Sequence, residues 1–131
     1  MRLLLDTHAF LWLASGDARV GGELERRLAD PANELLLSVV SVWEMAIKRS
    51  LGKLTLQIAL ERLLEQQIEA MGLQMLDVNV AHALAVEALP WHHRDPFDRL
   101  IAAHARLRGW RLATADDTLL KGLGPRHTLE I

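Results

Sequence analysis

The chain has 131 residues, half of them apolar, and a formal net charge of −2 from 15 basic and 17 acidic side chains; this is the size of one ordinary domain with material for a single core. The absence of cysteine excludes a disulfide framework and thiolate metal sites. No apolar run approaches the roughly 20 residues needed to cross a bilayer, and no block of like charge is long enough to announce a partner by bulk electrostatics.

Taken in chain order, RLLL (2–5) reads as a buried strand, and Asp6 and His8 break the apolar opening too early for a signal peptide, so the protein is expected in the cytoplasm. THAFLWLA (7–14) continues as a helix, and GGELERRLAD (21–30) as a second one ending near Asp30 and Pro31. ELLLS (34–38) is a strand leading into a helix over 42–51 that Gly52 terminates. LQIALERLLEQQIEA has apolar residues at 56, 60, 63, 64 and 68, the stripe of a one-sided helix. LQML (73–76) gives a strand, VAHALAVEAL (80–89) a helix before Pro90, DPFD the start of a helix over 96–108, WRLAT (110–114) a strand and HTLEI (127–131) a last short one. Short apolar runs alternating with helical periods predict one α/β domain over 1–131, a mainly parallel sheet of four to five strands covered by helices on both faces.

In such sheets ligands bind beyond the carboxyl ends of the strands, and four acids fall at that edge. Asp6 ends the first strand, Glu44 lies in the first turn after the second, Asp98 opens the 96–108 helix, and Asp116 follows the RLAT strand. Each has a structural explanation of its own. Asp95 with Pro96 and Asp98 is a helix-start signal, Ser41 with Glu44 has capping-box spacing, and Asp6 and Asp116 suit N-caps. Together they are harder to explain. Two carboxylates about 5 Å apart repel by roughly 3 kcal/mol at an effective dielectric of 20, and several such pairs approach the whole stability of a small domain, about 5 to 15 kcal/mol. If the helix starts share one pocket, the cluster must take up protons, divalent cations or a cationic partner. Oxygen ligands without cysteine suit Mg²⁺ or Mn²⁺ better than zinc, and a carboxylate-held pair of such ions is a device for in-line phosphodiester hydrolysis.

The motifs LLLDTHAFLWL (3–13), SVVSVWEMAIKRSLGKL (38–54), HRDPFDRLIAAHA (93–105) and LATADDTLL (112–120), in this order and spacing, resemble the PIN-domain ribonucleases, specifically the VapC-like toxins of bacterial toxin–antitoxin pairs. The resemblance implies a PIN-like three-layer α/β/α sandwich and an acidic centre that binds Mg²⁺ or Mn²⁺ and cuts RNA. It places the metal-site acids at Asp6, Glu44, Asp98 and Asp116. Asp95 matches the other acid of the DPFD stretch and is kept as helix cap or support. Thr7, Ser41 and Thr114 fall at small hydroxylated positions suited to orienting ligands or water, or to turns and caps. Asp117 beside Asp116 leaves two choices for the fourth acid, and His104 stands where relatives often carry glutamine. The resemblance further implies a homodimer and an antitoxin protein that inserts Arg or Lys into the acidic site.

Among rival readings, the six histidines, two of them adjacent at 92 and 93, lack the helical His-x-x-x-His pair with a glutamate that a zinc hydrolase needs. HRDPFDRL mimics a kinase catalytic loop but has Leu100 where asparagine is required. The tryptophans at 12, 43, 91 and 110 suit core or interface, with base stacking the lesser alternative. The alternative from another class is a non-catalytic binding module whose acidic pocket receives a basic peptide segment.

Overall fold

The computed structural model describes residues 1–89 and 95–131. His92 and His93, weighed above as ligands, therefore lie outside the described residues. Five strands form one sheet: β1 (Arg2–Leu5), β2 (Glu34–Ser38), β3 (Gln74–Leu76), β4 (Arg111–Thr114) and β5 (Thr128–Glu130), in the order β3-β2-β1-β4-β5. Every pairing is parallel. The chain steps outward from β1 to β3 and then returns to the other side of β1 for β4. The topological switch therefore lies between β1 and β4, where open α/β sheets form their ligand crevice.

The strand side chains alternate between two cores, as the two-residue period of a strand demands. Leu4 and its partners Leu36 and Leu112 face one side, where Ile101, Ala102 and Ala105 of α6 (Pro96–Arg108) and Leu119 and Leu123 of α7 (Asp117–Leu123) cover them. Leu3, Leu5, Leu35, Leu37 and Ala113 face the other, against Ala9 and Phe10 of α1 (Thr7–Ser15), Leu28 of α2 (Gly22–Leu28) and Met45 of α3 (Val39–Ser50). Leu60, Leu63 and Leu64 of α4 (Leu60–Met71) add a partly buried flank to that side. The result is the expected α/β/α sandwich, with a fully parallel sheet of five strands. α5 (Val80–Leu84) and a 3₁₀ turn over Ala85–Ala88 pack on α6, and here His82 stacks on His104 with ring centroids 3.8 Å apart.

Several boundaries differ from expectation. α3 starts at Val39, because Ser38 ends the strand and caps the helix by accepting from the Val40 N–H at 3.0 Å. The expected Ser41–Glu44 capping box does not form; Ser41 is buried inside the helix and Glu44 sits beyond its first turn. Residues 56–59 precede α4 instead of belonging to it, and the 80–89 helix tightens after Leu84. α7 was legible only as its cap, Asp116: its seven residues include Gly122, and glycine lowers helix propensity. At the end of α6, Gly109 adopts φ 69°, a left-handed cap that lets β4 begin two residues later.

Leu4 is fully buried at the centre of the sheet, whereas Val80 is 74% exposed. Leu4→Ala should cost about 2–5 kcal/mol in urea unfolding through lost burial and a residual cavity, while Val80→Ala should stay within about 0.5 kcal/mol.

Candidate active site

Asp6 is the residue at which β1 becomes α1. Its backbone N–H donates to the Ala113 carbonyl at 3.1 Å, extending the β1–β4 ladder by one step, and its Oδ1 accepts from the Ala9 N–H at 2.7 Å, capping α1. Its other oxygen accepts from the hydroxyl of Thr114, the last residue of β4. Thr114 Oγ1 in turn accepts from the Asp116 N–H at 3.0 Å, and Asp116 caps α7 through the Leu119 N–H at 2.9 Å. One threonine at the switch point thus joins the two strand ends and orients the acids on both. Burial nonetheless pushes the Asp6 carboxyl up, against the bonds from Thr114 and Ala9, because desolvation disfavours the charged form.

Glu44 reaches the same edge from α3 and is 2% exposed. Its Oε1 lies 2.6 Å from Thr7 Oγ1, which lies 3.0 Å from Ser41 Oγ. A hydroxyl carries one proton and a carboxylate only accepts, so Thr7 donates to Glu44 and Ser41 supports Thr7. The second oxygen, Oε2, accepts from Lys48 Nζ at 2.6 Å. Lys48 was not singled out in the sequence, although its spacing of four residues from Glu44 on one helix was the signal for it.

Asp95 caps α6 with bonds from the Phe97 and Asp98 N–H groups at 2.9 and 3.3 Å, and Pro96 occupies the first turn, where its missing N–H costs nothing. Burial, followed by the charges of Asp95, Glu44, Asp6 and Asp116, pushes Asp98 up to about 7. The charges of the other strand-edge acids therefore reach Asp98, with burial the larger cause. Asp116 acts on both Asp6 and Asp98, while its neighbour Asp117 is exposed on the first turn of α7. A cleft of about 210 Å³ opens beside Asp6 and Asp116 and is also lined by His8, Trp12 and Ala115; His8 and Trp12 are neighbours the sequence did not associate with the acids.

The donors are hard carboxylate oxygens, the kind that Mg²⁺ and Mn²⁺ prefer. Among the described residues, no three His, Asp or Glu side chains stand together at ligand spacing. Both oxygens of Asp6 and both of Glu44 hold hydrogen-bond partners. Each oxygen keeps a second lone pair, so these bonds orient the carboxylates without disqualifying them as ligands.

Because Asp98 titrates near 7 in the folded chain and at 3.8 unperturbed, the native state binds the extra proton between those values. Its stabilising contribution is therefore complete below about pH 4 and is lost as pH rises through about 7. His82 and His104, pushed down by burial, act oppositely, costing stability as pH falls below their ordinary 6.5. The difference between metal-free wild type and Asp98→Asn isolates the carboxyl: the variant should gain in relative Tm from pH 4 to 8 and melt no lower than wild type at pH 8. A variant that melts clearly lower at pH 8 would make Asp98 a structural cap.

The sequence model of the PIN domain family matches residues 3–122. Ribonuclease VapC22 of Mycobacterium tuberculosis (strain ATCC 25618 / H37Rv) is 32% identical over 124 residues, covering 95% of this chain and 94% of that protein. Among solved structures, the fold is similar to a chain of VapBC2 from Rickettsia felis bound to a DNA fragment from its promoter, with a TM-score of 0.72, 16% identity and coverage of 99% of this chain and 98% of that one. It is also similar to DNA-bound VapBC from Salmonella typhimurium (TM-score 0.66, 18% identity, 99% and 98% coverage) and to a toxin–antitoxin complex from Klebsiella pneumoniae (0.62, 20%, 98% and 99%). At these identities the structural likenesses carry the fold, while the family match and the curated relative carry the kinship: the chain belongs to the PIN domain family.

Proposed function

We propose that this chain, as one PIN domain over residues 1–131, is a divalent-metal-dependent endoribonuclease and the toxin of a toxin–antitoxin pair. The observation that carries the reading is the geometry at the β1–β4 switch point, where Thr114 bonds Asp6 and the Asp116 backbone while Glu44 is buried on Thr7; Asp98, pushed up to about 7 by burial and then by the neighbouring acids, accords with it. Hard carboxylate oxygens at the ligand crevice of a parallel sheet suit a divalent cation. Mg²⁺ or Mn²⁺ fits the donors, and Asp6, Glu44, Asp98 and Asp116 would hold it.

The ion would supply positive charge to activate water and to offset the charge that builds on a phosphate during in-line displacement. The chain's own part is to place the oxygens. Thr114 fixes the rotation of Asp6, Thr7 with Ser41 behind it fixes Glu44, and Asp95 starts the helix that carries Asp98. Thr114 also holds the Asp116 backbone so that Asp116, in preference to Asp117, serves as the fourth acid. With no cysteine in the chain, no thiol nucleophile is available, and the reading uses water attack without a covalent protein intermediate.

RNA as substrate is supported by the 32% identical relative, a ribonuclease. An antitoxin as partner is supported by the neighbouring complexes, its basic residues entering the acidic cleft. Homodimerisation belongs to the same reading, and exposed apolar side chains such as Val80, Leu84 and Leu107 leave surface for it. No helix among the described residues is long and apolar enough to cross a membrane, which accords with a cytoplasmic site of action. One observation favours the second reading, a non-catalytic module that captures a basic peptide: one of the acids, Glu44, already holds a basic side chain, Lys48.

Activity separates the two. Antitoxin-free protein should cleave RNA with Mg²⁺ or Mn²⁺, lose all cleavage in EDTA, and lose about 100-fold or more in Asp6→Asn and Asp98→Asn, since altering even residues behind the ligands of metal sites costs 10–100-fold. Undiminished cleavage by folded Asp98→Asn would remove the assignment, and inert wild type would leave the binding module.

A further inference from the structure

A phosphodiester is an anion, yet Asp6, Glu44, Asp95, Asp98 and Asp116 all bear on the place it would have to enter. Among the described residues, Lys48 is a basic residue that the structure ties directly into this group. Its Nζ sits 2.6 Å from Glu44 Oε2, and the charges of Asp95 and Asp98 act on it as well. The pair is unlike a surface i,i+4 bridge, in which both partners are solvated and the bond is weak. Here the carboxylate side chain is 2% exposed while that of the lysine is 37% exposed. Glu44 cannot swing away, because Thr7 from α1 holds its other oxygen and Ser41 holds Thr7. An ammonium has three N–H donors, and the contact with Glu44 uses one. The lysine is thus anchored through its head to a buried carboxylate while its side chain stays part-exposed.

We propose that Lys48 binds a phosphate of the RNA backbone beside the acid cluster, and that Glu44, clamped by Thr7, is the positioning residue that holds the ammonium there. The proposal rests on the nuclease reading for the identity of its ligand. It gives the cleft a fixed positive charge to set against its carboxylates, and it explains why a buried glutamate is paired with a lysine that is only part-buried. The alternative role, an internal counter-ion, would affect folding and leave RNA contact unchanged.

Salt dependence separates the roles, because each phosphate contact to a single strand adds about 0.7 to the slope of log Kobs against log[salt]. A short fluorescein-labelled single-stranded oligoribonucleotide is titrated, in EDTA and across a KCl series, into wild type, Lys48→Met and Lys48→Arg. Lys48→Met should bind more weakly with a slope smaller by about 0.7, and Lys48→Arg should restore the slope. If loss of the ammonium unfolds the chain by leaving Glu44 unpaired, the double variant Glu44→Gln, Lys48→Met removes both charges and should show the same reduced slope. A folded single or double variant that binds with the wild-type slope, or wild type with no salt-dependent binding, overturns the proposal. Mn²⁺-supported cleavage by wild type, scored separately, reports on the nuclease reading: no cleavage with a Lys48-dependent slope would sink that reading and leave the phosphate contact standing.

Discussion

Burial, followed by the charges of four neighbouring carboxylates, pushes Asp98 up to about 7, and the cost of charging a desolvated carboxyl among other acids is the constraint around which the carboxyl edge is organised. Desolvation strengthens every charge–charge interaction in the cleft, so the acids are destabilising unless something positive is drawn in. The fold supplies partial answers for the metal-free chain. Asp6 takes an N–H at the start of α1 and a threonine hydroxyl, Glu44 takes Lys48 and Thr7, and Asp98 takes a proton. The natural complement of such carboxylate oxygens is a hard divalent cation.

The sheet order explains why these acids lie at one edge. With β1 and β4 adjacent and the chain running outward from β1 in both directions, Asp6 and Thr114 end neighbouring strands, and α6 and α7 begin beside them. The residues that start helices here also serve the cleft. Asp6 and Asp116 are N-caps by geometry and sources of charge by electrostatics, and the helix dipole tolerates an acid at each of these starts. Capping and chemistry therefore do not compete at these positions. Asp95 shows the division of labour most plainly: it starts the helix, and Asp98, three residues on, carries the perturbed carboxyl.

Most of this architecture was legible in the sequence because its signals are strong and local. Continuous Leu runs at 3–5 and 35–37 mark strands buried on both faces, and DPF before an apolar helix is a start signal with a mechanism. The four acids could be placed at the strand ends before any contact was known. What was not legible depended on competition between equivalent choices. Ser38 and Ser41 both suit an N-cap, and the strand's end at Ser38 decided between them, moving Glu44 deeper into α3. Asp116 and Asp117 are indistinguishable by type; in the structure Asp116 lines the cleft beside Asp6 and Asp117 is exposed. Lys48 was invisible as a participant because a lysine four residues after a glutamate is ordinarily a solvated surface pair, and only the burial of Glu44 changes its meaning.

The central claim, that these acids exist to hold a divalent cation between β1 and α6, is tested most directly by anomalous diffraction from crystals of the antitoxin-free chain soaked in Mn²⁺. An ordered ion bridging the carboxylates of Asp6 and Asp98, with Asp116 or Glu44 close enough to complete its coordination, is the predicted result. A well-ordered cleft with no anomalous density at saturating Mn²⁺, or density confined to other sites, would contradict it.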